Sequence, residues 1–140
     1  MLETRTCRLL NIRYPIVQAA MAWVTNAEMV AAISSAGGLG TLGPNAGATT
    51  ITKDPHEVGE RLRAQIKKVR ALTDRPFAVN VLVPGPGEEE FSEVTARVTI
   101  EEKVPAAIVS QGSPRVYTER LKRAGIKVLH VVANPSHATK

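Results

Sequence analysis

Apolar segments of strand length alternate with helix-like segments along the whole chain, and this alternation constrains the fold more than any other feature. Five strand-like and four helix-like segments follow one another with short connections. Parallel strands require such crossovers, and the carboxyl ends of parallel strands can together form a site. The sequence therefore predicts an α/β fold with strands at residues 15–19, 39–42, 76–83, 106–110 and 127–133.

Capping residues predict where the helices begin. Thr25 and Glu28 form a capping box, in which each side chain bonds a free backbone N–H at the start of the first helix. Asp54 caps the second helix, with Pro55 at its first position. The first helix ends at the glycine pair 37–38, because glycine readily takes the left-handed conformation. The other two helices are predicted at 88–102 and after the Ser-Pro cap at 113–114.

Two architectures fit five parallel strands and four crossover helices. One is a five-stranded doubly wound sheet, and the other is the first part of an eight-stranded TIM barrel, which typically needs about 250 residues. A doubly wound domain would follow its fifth strand with a covering helix, but residues 134–140 are too few to complete one. We therefore favour the barrel and expect residues 1–140 to be its N-terminal portion, truncated after strand five.

The composition argues against several classes of function. The N-terminus has no signal-like apolar stretch, and the longest nearly apolar run, 16–24, is too short to span a membrane. The net charge of +5 comes from Lys and Arg spread along helical segments. No aromatic residue lies within the densest basic group, which consists of Arg61, Arg63, Lys67, Lys68 and Arg70. We expect that group to be a solvated helix face, with no nucleic-acid or membrane partner. The single cysteine excludes an internal disulfide and a multi-cysteine metal site, and a cytoplasmic location is expected.

The run Gly-Leu-Gly-Thr-Leu-Gly at 38–43 matches the letters of the dinucleotide-binding motif. That motif requires a strand before it and a helix directly after it, so that the helix N-terminus faces pyrophosphate. Here a helix precedes the run and a loop of about ten residues follows it. We therefore interpret these glycines as a helix end and a close packing contact of the second strand.

A few polar or aromatic residues stand out as candidate ligand contacts. Asn80 and Gln18 lie within predicted strands, where each is either a satisfied structural residue or a ligand contact, because a buried amide must be hydrogen-bonded. His130 is more typical of a hydrogen-bonded core residue than of a catalyst. Met21 and Trp23 follow the first strand and either pack on the rim or flank a flat aromatic ligand.

Several segments together resemble the nitronate monooxygenase family, formerly called 2-nitropropane dioxygenases, which are FMN-dependent barrels. They are Pro-Ile-Val-Gln-Ala-Ala-Met at 15–21, Ala-Glu-Met-Val-Ala-Ala at 27–32, Ala-Gly-Gly-Leu-Gly-Thr-Leu at 36–42, Thr-Asp-Arg-Pro-Phe-Ala-Val-Asn at 73–80 and Gly-Ile-Lys-Val-Leu-His at 125–130. Their order and spacing agree with the family from about residue 6 onward.

The resemblance implies FMN as the cofactor, bound by Ala20, Met21, Ala22 and Asn80. In such proteins the loop after strand one lies against the flavin largely through backbone groups, and the strand-three asparagine hydrogen-bonds it. The family's catalytic histidine follows strand six, and its phosphate-binding glycines follow strands seven and eight. The resemblance therefore implies no catalytic residue within these 140 residues.

The function implied for the full-length relative is oxidation of an alkyl nitronate by molecular oxygen, giving a carbonyl compound and nitrite. We expect this chain alone to be inactive. One alternative keeps the fold and FMN but changes the chemistry to NAD(P)H:quinone or enoyl-thioester reduction. Another is a non-catalytic half-barrel that self-associates through its open edges, since exposed edge strands invite pairing.

Overall fold

The structure is a computed structural model that describes residues 4–52, 54–113 and 115–138. The predicted alternation is present, together with a short helix near each end of the chain that the sequence did not assign. The predicted cap residue Pro114 lies outside the described residues. The helices are α1 (Arg5–Leu10), α2 (Ala27–Ala36), α3 (Pro55–Leu72), α4 (Glu89–Glu101), α5 (Arg115–Arg123) and α6 (Pro135–Ala138), and the strands are β1 (Gly40–Leu42), β2 (Phe77–Leu82), β3 (Ala106–Ser110) and β4 (Lys127–His130).

The four strands form one parallel sheet in the order β1-β2-β3-β4. Each strand pairs only with its neighbours in the chain, as in a TIM barrel. A doubly wound sheet instead contains a point at which the strand order reverses. The described residues contain no such point, so the doubly wound alternative is wrong and the fold is α/β with part of a barrel's sheet.

The first predicted strand, at 15–19, is reduced to a single parallel bridge between Val17 and Leu39. Leu39 donates its amide to the carbonyl of Ile16 and accepts from the amide of Gln18, both at 2.9 Å. A parallel ladder would next join the Thr41 amide to the Gln18 carbonyl. The Gln18 side-chain Oε1 accepts that amide instead, at 2.8 Å, so the side chain replaces the backbone and the strand ends there.

Of the two predicted helix caps at Thr25 and Asp54, the first is wrong and the second is confirmed. Asn26, not Thr25, caps α2, because its side chain accepts the Met29 amide at 2.9 Å. The Thr25 hydroxyl is already occupied by the Met21 amide. Asp54 caps α3 as predicted and accepts the amide of the second helical residue at 2.9 Å.

Side chains alternate between the two faces of the sheet, and each face has its own apolar core. On the outer face, Phe77, Val79 and Val81 are buried among residues of α2, α3, α4 and α5. The opposite face, here called the inner face, packs Ala78 and Ile108 against α1. The buried residues of this second core are Cys7, Leu10, Ile12, Leu39, Ala78, Ala106 and Ile108.

The glycine run at 38–43 has the structural role predicted for it. Gly37, just before the run, ends α2 in the left-handed conformation with φ +104°. A Cβ added to Gly40 would lie 2.4 Å from the Val30 carbonyl oxygen, so α2 and β1 pack backbone against backbone. A loop rather than a helix follows β1, which excludes the dinucleotide-binding geometry here.

Ion pairs connect α3 to the end of α4. The Arg63 guanidinium lies 2.6 Å from the Glu101 carboxylate and 2.5 Å from that of Glu102. Glu102, whose side chain is 14% exposed, also lies 3.2 Å from Arg70. Hydrogen bonds to Glu101 and Glu102 raise the pKa of Arg63. The densest basic group of the chain therefore lies on a helix face, where four of its five members pair with carboxylates: Arg61, Arg63, Lys68 and Arg70.

Apolar side chains are exposed beside both outer strands of the sheet. Beside β1, Ile16 is 62% exposed and Val17 is 37% exposed. At the other edge, no residue of β4 is buried, and the strand predicted to reach 133 ends at His130. Val131 continues the ladder by one bond to Val109, at 2.9 Å, and is 59% exposed. None of the described helices is long and apolar enough to cross a membrane.

Candidate functional site

Polar side chains on the inner face lie towards the carboxyl ends of neighbouring strands. Asn80 lies two residues after Ala78 in β2, and Ser110 lies two residues after Ile108 in β3, so both are on the inner face. Both side chains are half-buried. The Ser110 hydroxyl donates to Asn80 Oδ1 at 3.1 Å. Within the described ranges the Asn80 amide nitrogen has no hydrogen-bond partner, so it is available as a donor. Sequence reasoning found Asn80 and missed Ser110, whose signal was a hydroxyl at the end of an apolar strand.

Thr41 adds a third polar group to the inner face. Its side chain is fully buried, and its hydroxyl has no hydrogen-bond partner among the described residues. A buried hydroxyl without a partner costs about 1–3 kcal/mol, so this position favours a bound polar atom. The sequence signal was a single polar residue between the apolar Leu39 and Leu42, which the glycine pattern around it obscured.

Thr25 organises the loop that follows the Val17 bridge. It is 1% exposed, and its hydroxyl accepts the Met21 amide at 2.9 Å and the Gln18 side-chain amide at 3.3 Å. Its own amide donates to the Met21 carbonyl at 3.0 Å, and its carbonyl accepts the Gly47 amide at 2.9 Å. This one residue therefore ties the loop to the segment before it and to the loop after β1.

The predicted flavin-facing residues Ala20, Met21 and Ala22 lie in this loop at the carboxyl edge of the sheet. Ala20 Cβ is 3.4 Å from where a Cβ on Gly43 would stand, directly after β1. The Met21 amide and carbonyl are both used within the loop. In the described part of the chain, the amides of Ala20 and Ala22 have no such partner. Met21 is 40% exposed and Trp23 is 53% exposed, so an apolar surface faces outward beside free donors.

His130 lies away from these groups. It is on the outer face, where Nε2 is 3.0 Å from the Thr118 hydroxyl of α5. Burial lowers the pKa of His130, and its Nδ1 is buried without a partner among the described residues. The predicted hydrogen bond of this histidine is present, but the residue is half-buried rather than part of the core.

The groups at the carboxyl edge suit a flat, largely apolar ligand with a few polar atoms. Sites of this kind combine apolar walls with a small number of fixed donors and acceptors. The loop supplies the apolar side chains of Met21 and Trp23 and two free backbone amides, while Asn80 supplies a side-chain donor and Thr41 a buried hydroxyl. The residues present therefore fit the ring of a flavin.

Comparison with known proteins identifies the family of the chain. A sequence model of the nitronate monooxygenase family matches residues 3–139. The chain belongs to this family. It is 43% identical over 86 residues to the nitronate monooxygenase of Pseudomonas aeruginosa, covering 61% of this chain and 22% of that protein. It is 34% identical over 139 residues to an indene-carboxyl-CoA dehydrogenase of Mycobacterium tuberculosis, covering 99% of this chain and 35% of that protein.

A solved structure extends the family relationship to the fold. FabK from Thermotoga maritima superposes with a TM-score of 0.82 at 37% identity, over 99% of this chain and 40% of that one. The chain spans about a third of the length of the M. tuberculosis relative, although nearly all of this chain takes part in that match. Membership of the family and this superposition identify the parallel sheet as part of a TIM barrel, and they support an oxidoreductase.

Proposed function

We propose that this chain is the flavin-ring-binding part of an FMN-dependent nitronate monooxygenase. The whole protein would oxidise alkyl nitronates with molecular oxygen to a carbonyl compound and nitrite. The observation that carries the proposal is the family match over residues 3–139, combined with free hydrogen-bond donors at the carboxyl edge of the sheet. Active sites of TIM barrels lie at this edge.

Four residues of the chain would hold the flavin ring. Ala20 and Ala22 would donate their backbone amides, and their small side chains allow a flat ring to approach the backbone. Met21 would contribute its exposed side chain, because its backbone groups are already bonded within the loop. Asn80 would donate from its amide nitrogen, held by Ser110. Bound FMN would supply the capacity to carry electrons between substrate and oxidant.

A titration with riboflavin and FMN, followed by flavin fluorescence, tests this site. Riboflavin lacks the phosphate and therefore reports contacts to the ring alone. We expect Asn80→Ala to weaken riboflavin binding about tenfold, as expected for the loss of one hydrogen bond. The control is Ser35→Ala. The Ser35 hydroxyl hydrogen-bonds that of Thr73 near the amino ends of the strands, away from the proposed site. Equal binding by both variants would contradict the role of Asn80.

A second candidate function is oxidation or reduction of an acyl thioester on the same fold and cofactor. It is favoured by the relative from M. tuberculosis, a carboxyl-CoA dehydrogenase that matches 99% of this chain. Reduction of quinones by NAD(P)H is a related possibility within the same superfamily. Oxygen uptake with propyl nitronate and no nicotinamide, measured on the whole protein, supports the first function. Turnover of an acyl thioester without any nitronate activity supports the second.

We further propose that the 140-residue chain alone is inactive, binds FMN weakly or not at all, and self-associates through its outer strands. The support is the exposure of Ile16 and Val17 beside β1 and of Val131 beside β4. Unpaired strand edges with apolar side chains favour pairing with a second copy. Light scattering after size exclusion tests this, and a monomer with stoichiometric flavin would contradict it. A cytoplasmic location remains a prediction.

A further inference from the structure

Four residues other than glycine have a positive φ in the described part of the chain: Asn11, Trp23, Lys103 and Gln111. Two of them end helices, where this conformation is common. Asn11 caps the C-terminus of α1, and Lys103 directly follows Glu102, which caps the C-terminus of α4. Trp23 and Gln111 instead lie in loops at the carboxyl edge of the sheet, with φ of +67° and +69°. A helix end therefore does not explain their conformation.

Trp23 occupies a turn position that favours glycine. The Met21 carbonyl accepts the amides of Val24, at 3.3 Å, and Thr25, at 3.0 Å, so Trp23 is the third residue of a tight turn. A positive φ at this position is typical of glycine, because a Cβ is strained there. The buried Thr25 hydroxyl holds the turn closed through the Met21 amide. The surrounding bonds thus impose the strained conformation on the bulkiest side chain of the chain.

Packing within the described residues does not account for a tryptophan at this position. The side chain is 53% exposed, and the neighbouring Met21 and Val24 are 40% and 60% exposed. A large aromatic side chain that is both strained and half-exposed gains little from burial. Such backbone outliers cluster at ligand sites, where the surrounding structure maintains them for function.

We infer that Trp23 is a ligand-contacting residue whose indole packs against the flat ring of the flavin. This inference rests on the proposed function, because it requires the ring to lie at the carboxyl edge of the sheet. Aromatic rings gain from offset stacking or edge contacts beyond simple burial. The backbone groups of Met21 are bonded within the loop, so beside the free amides of Ala20 and Ala22 the loop offers a ligand an apolar side-chain surface. Trp23 is the largest element of that surface.

The chain contains a single tryptophan, so one indole N–H signal reports on this residue in a ¹⁵N-correlated NMR spectrum. The experiment is a titration of the chain with riboflavin up to the limit of its solubility in water. We expect the indole signal to shift with the same saturation curve as the amides of Ala20 and Ala22. Shifts of those amides without the indole would overturn the inference and leave the flavin site intact. No shift at any of the three would overturn both.

Three variants separate the side chain from the backbone. Trp23→Gly relieves the strain of the positive φ, whereas Trp23→Ala keeps it. We therefore expect the unfolding temperature of Trp23→Gly to be about 3 °C above that of Trp23→Ala. Both should weaken riboflavin binding about fivefold or more, whereas Trp23→Phe should stay within about threefold of the original chain. Unchanged riboflavin binding by Trp23→Gly would overturn the inference. A lower unfolding temperature for Trp23→Gly than for Trp23→Ala would overturn the strain on which it rests.

Discussion

The backbone contact between α2 and β1 predicts that Gly40→Ala is strongly destabilising. The added Cβ would lie 2.4 Å from the Val30 carbonyl oxygen and 2.9 Å from Val30 Cα, whereas ordinary contacts begin at 3.4 Å. Because these atoms belong to a helix backbone, no side chain can rotate away, and α2 must shift by about 1 Å. We expect a loss of about 3 kcal/mol in the free energy of unfolding, the upper part of the range for an overpacked core.

Urea denaturation of the chain, followed by circular dichroism, measures this loss. With an m-value of about 1.5 kcal/mol/M, the midpoint should fall by about 2 M. Two other glycines are matched controls. Gly125→Ala meets no atom within 4 Å but has φ +79°, so strain alone should cost about 1 kcal/mol. Gly85→Ala has neither a positive φ nor a neighbour closer than 3.5 Å, so it should change the free energy by less than about 0.5 kcal/mol.

The order of the three variants is the decisive result. A loss for Gly40→Ala no larger than that for Gly125→Ala would show that α2 does not press on β1. The structural interpretation of the glycine run would then lose its main support. A larger loss with an unchanged m-value would confirm that the substitution acts on packing in the folded state.

Three further perturbations follow from particular contacts. Thr41→Val removes a buried hydroxyl without a partner and should raise the free energy of unfolding by about 1 kcal/mol; a decrease in urea midpoint would contradict this. Glu102→Gln should lower the free energy of unfolding by about 1–2 kcal/mol, because the Glu102 carboxylate is shielded from water. The exposed Glu119→Gln should lower it by less than about 0.5 kcal/mol, and parallel urea titrations measure both. Burial lowers the pKa of His130 below its usual 6.5, so the unfolded chain binds the proton first as pH falls. Stability of the original chain, measured as the urea midpoint, should therefore fall relative to His130→Gln as the pH decreases through about 6.5, the ordinary histidine pKa, and parallel pH profiles would refute this.

The parts of the fold that local chemistry determines were predictable from the sequence. The strand at 106–110 is a continuous apolar run between turn residues, and it was found with its observed limits. The helix that begins after Asp54 carries its own cap and one apolar stripe, so its start needs no tertiary information. Strict alternation of such units predicted parallel pairing between sequence neighbours.

The parts that depend on distant partners were missed. Helix α1 has only six residues and no periodic stripe, and its stability comes from Cys7 and Leu10 packing on the inner face. Thr25 and Asn26 are both good caps, and the Met21 amide decides between them by occupying the threonine hydroxyl. At the candidate site, the bond between Ser110 and Asn80 depends on the register of two strands, which a single sequence does not encode locally.

The consecutive strand order determines how this molecule unfolds locally and how it can fold during synthesis. Each βα unit touches mainly the unit before it and the unit after it, as in a linear array of repeats. Backbone amides of β2 and β3, which are paired on both sides, should exchange with deuterium last, while the outer strands fray first. A nascent chain can dock each unit as it leaves the ribosome, because every new strand finds its partner already in place. Lengthening such a sheet by another unit leaves all earlier pairings unchanged.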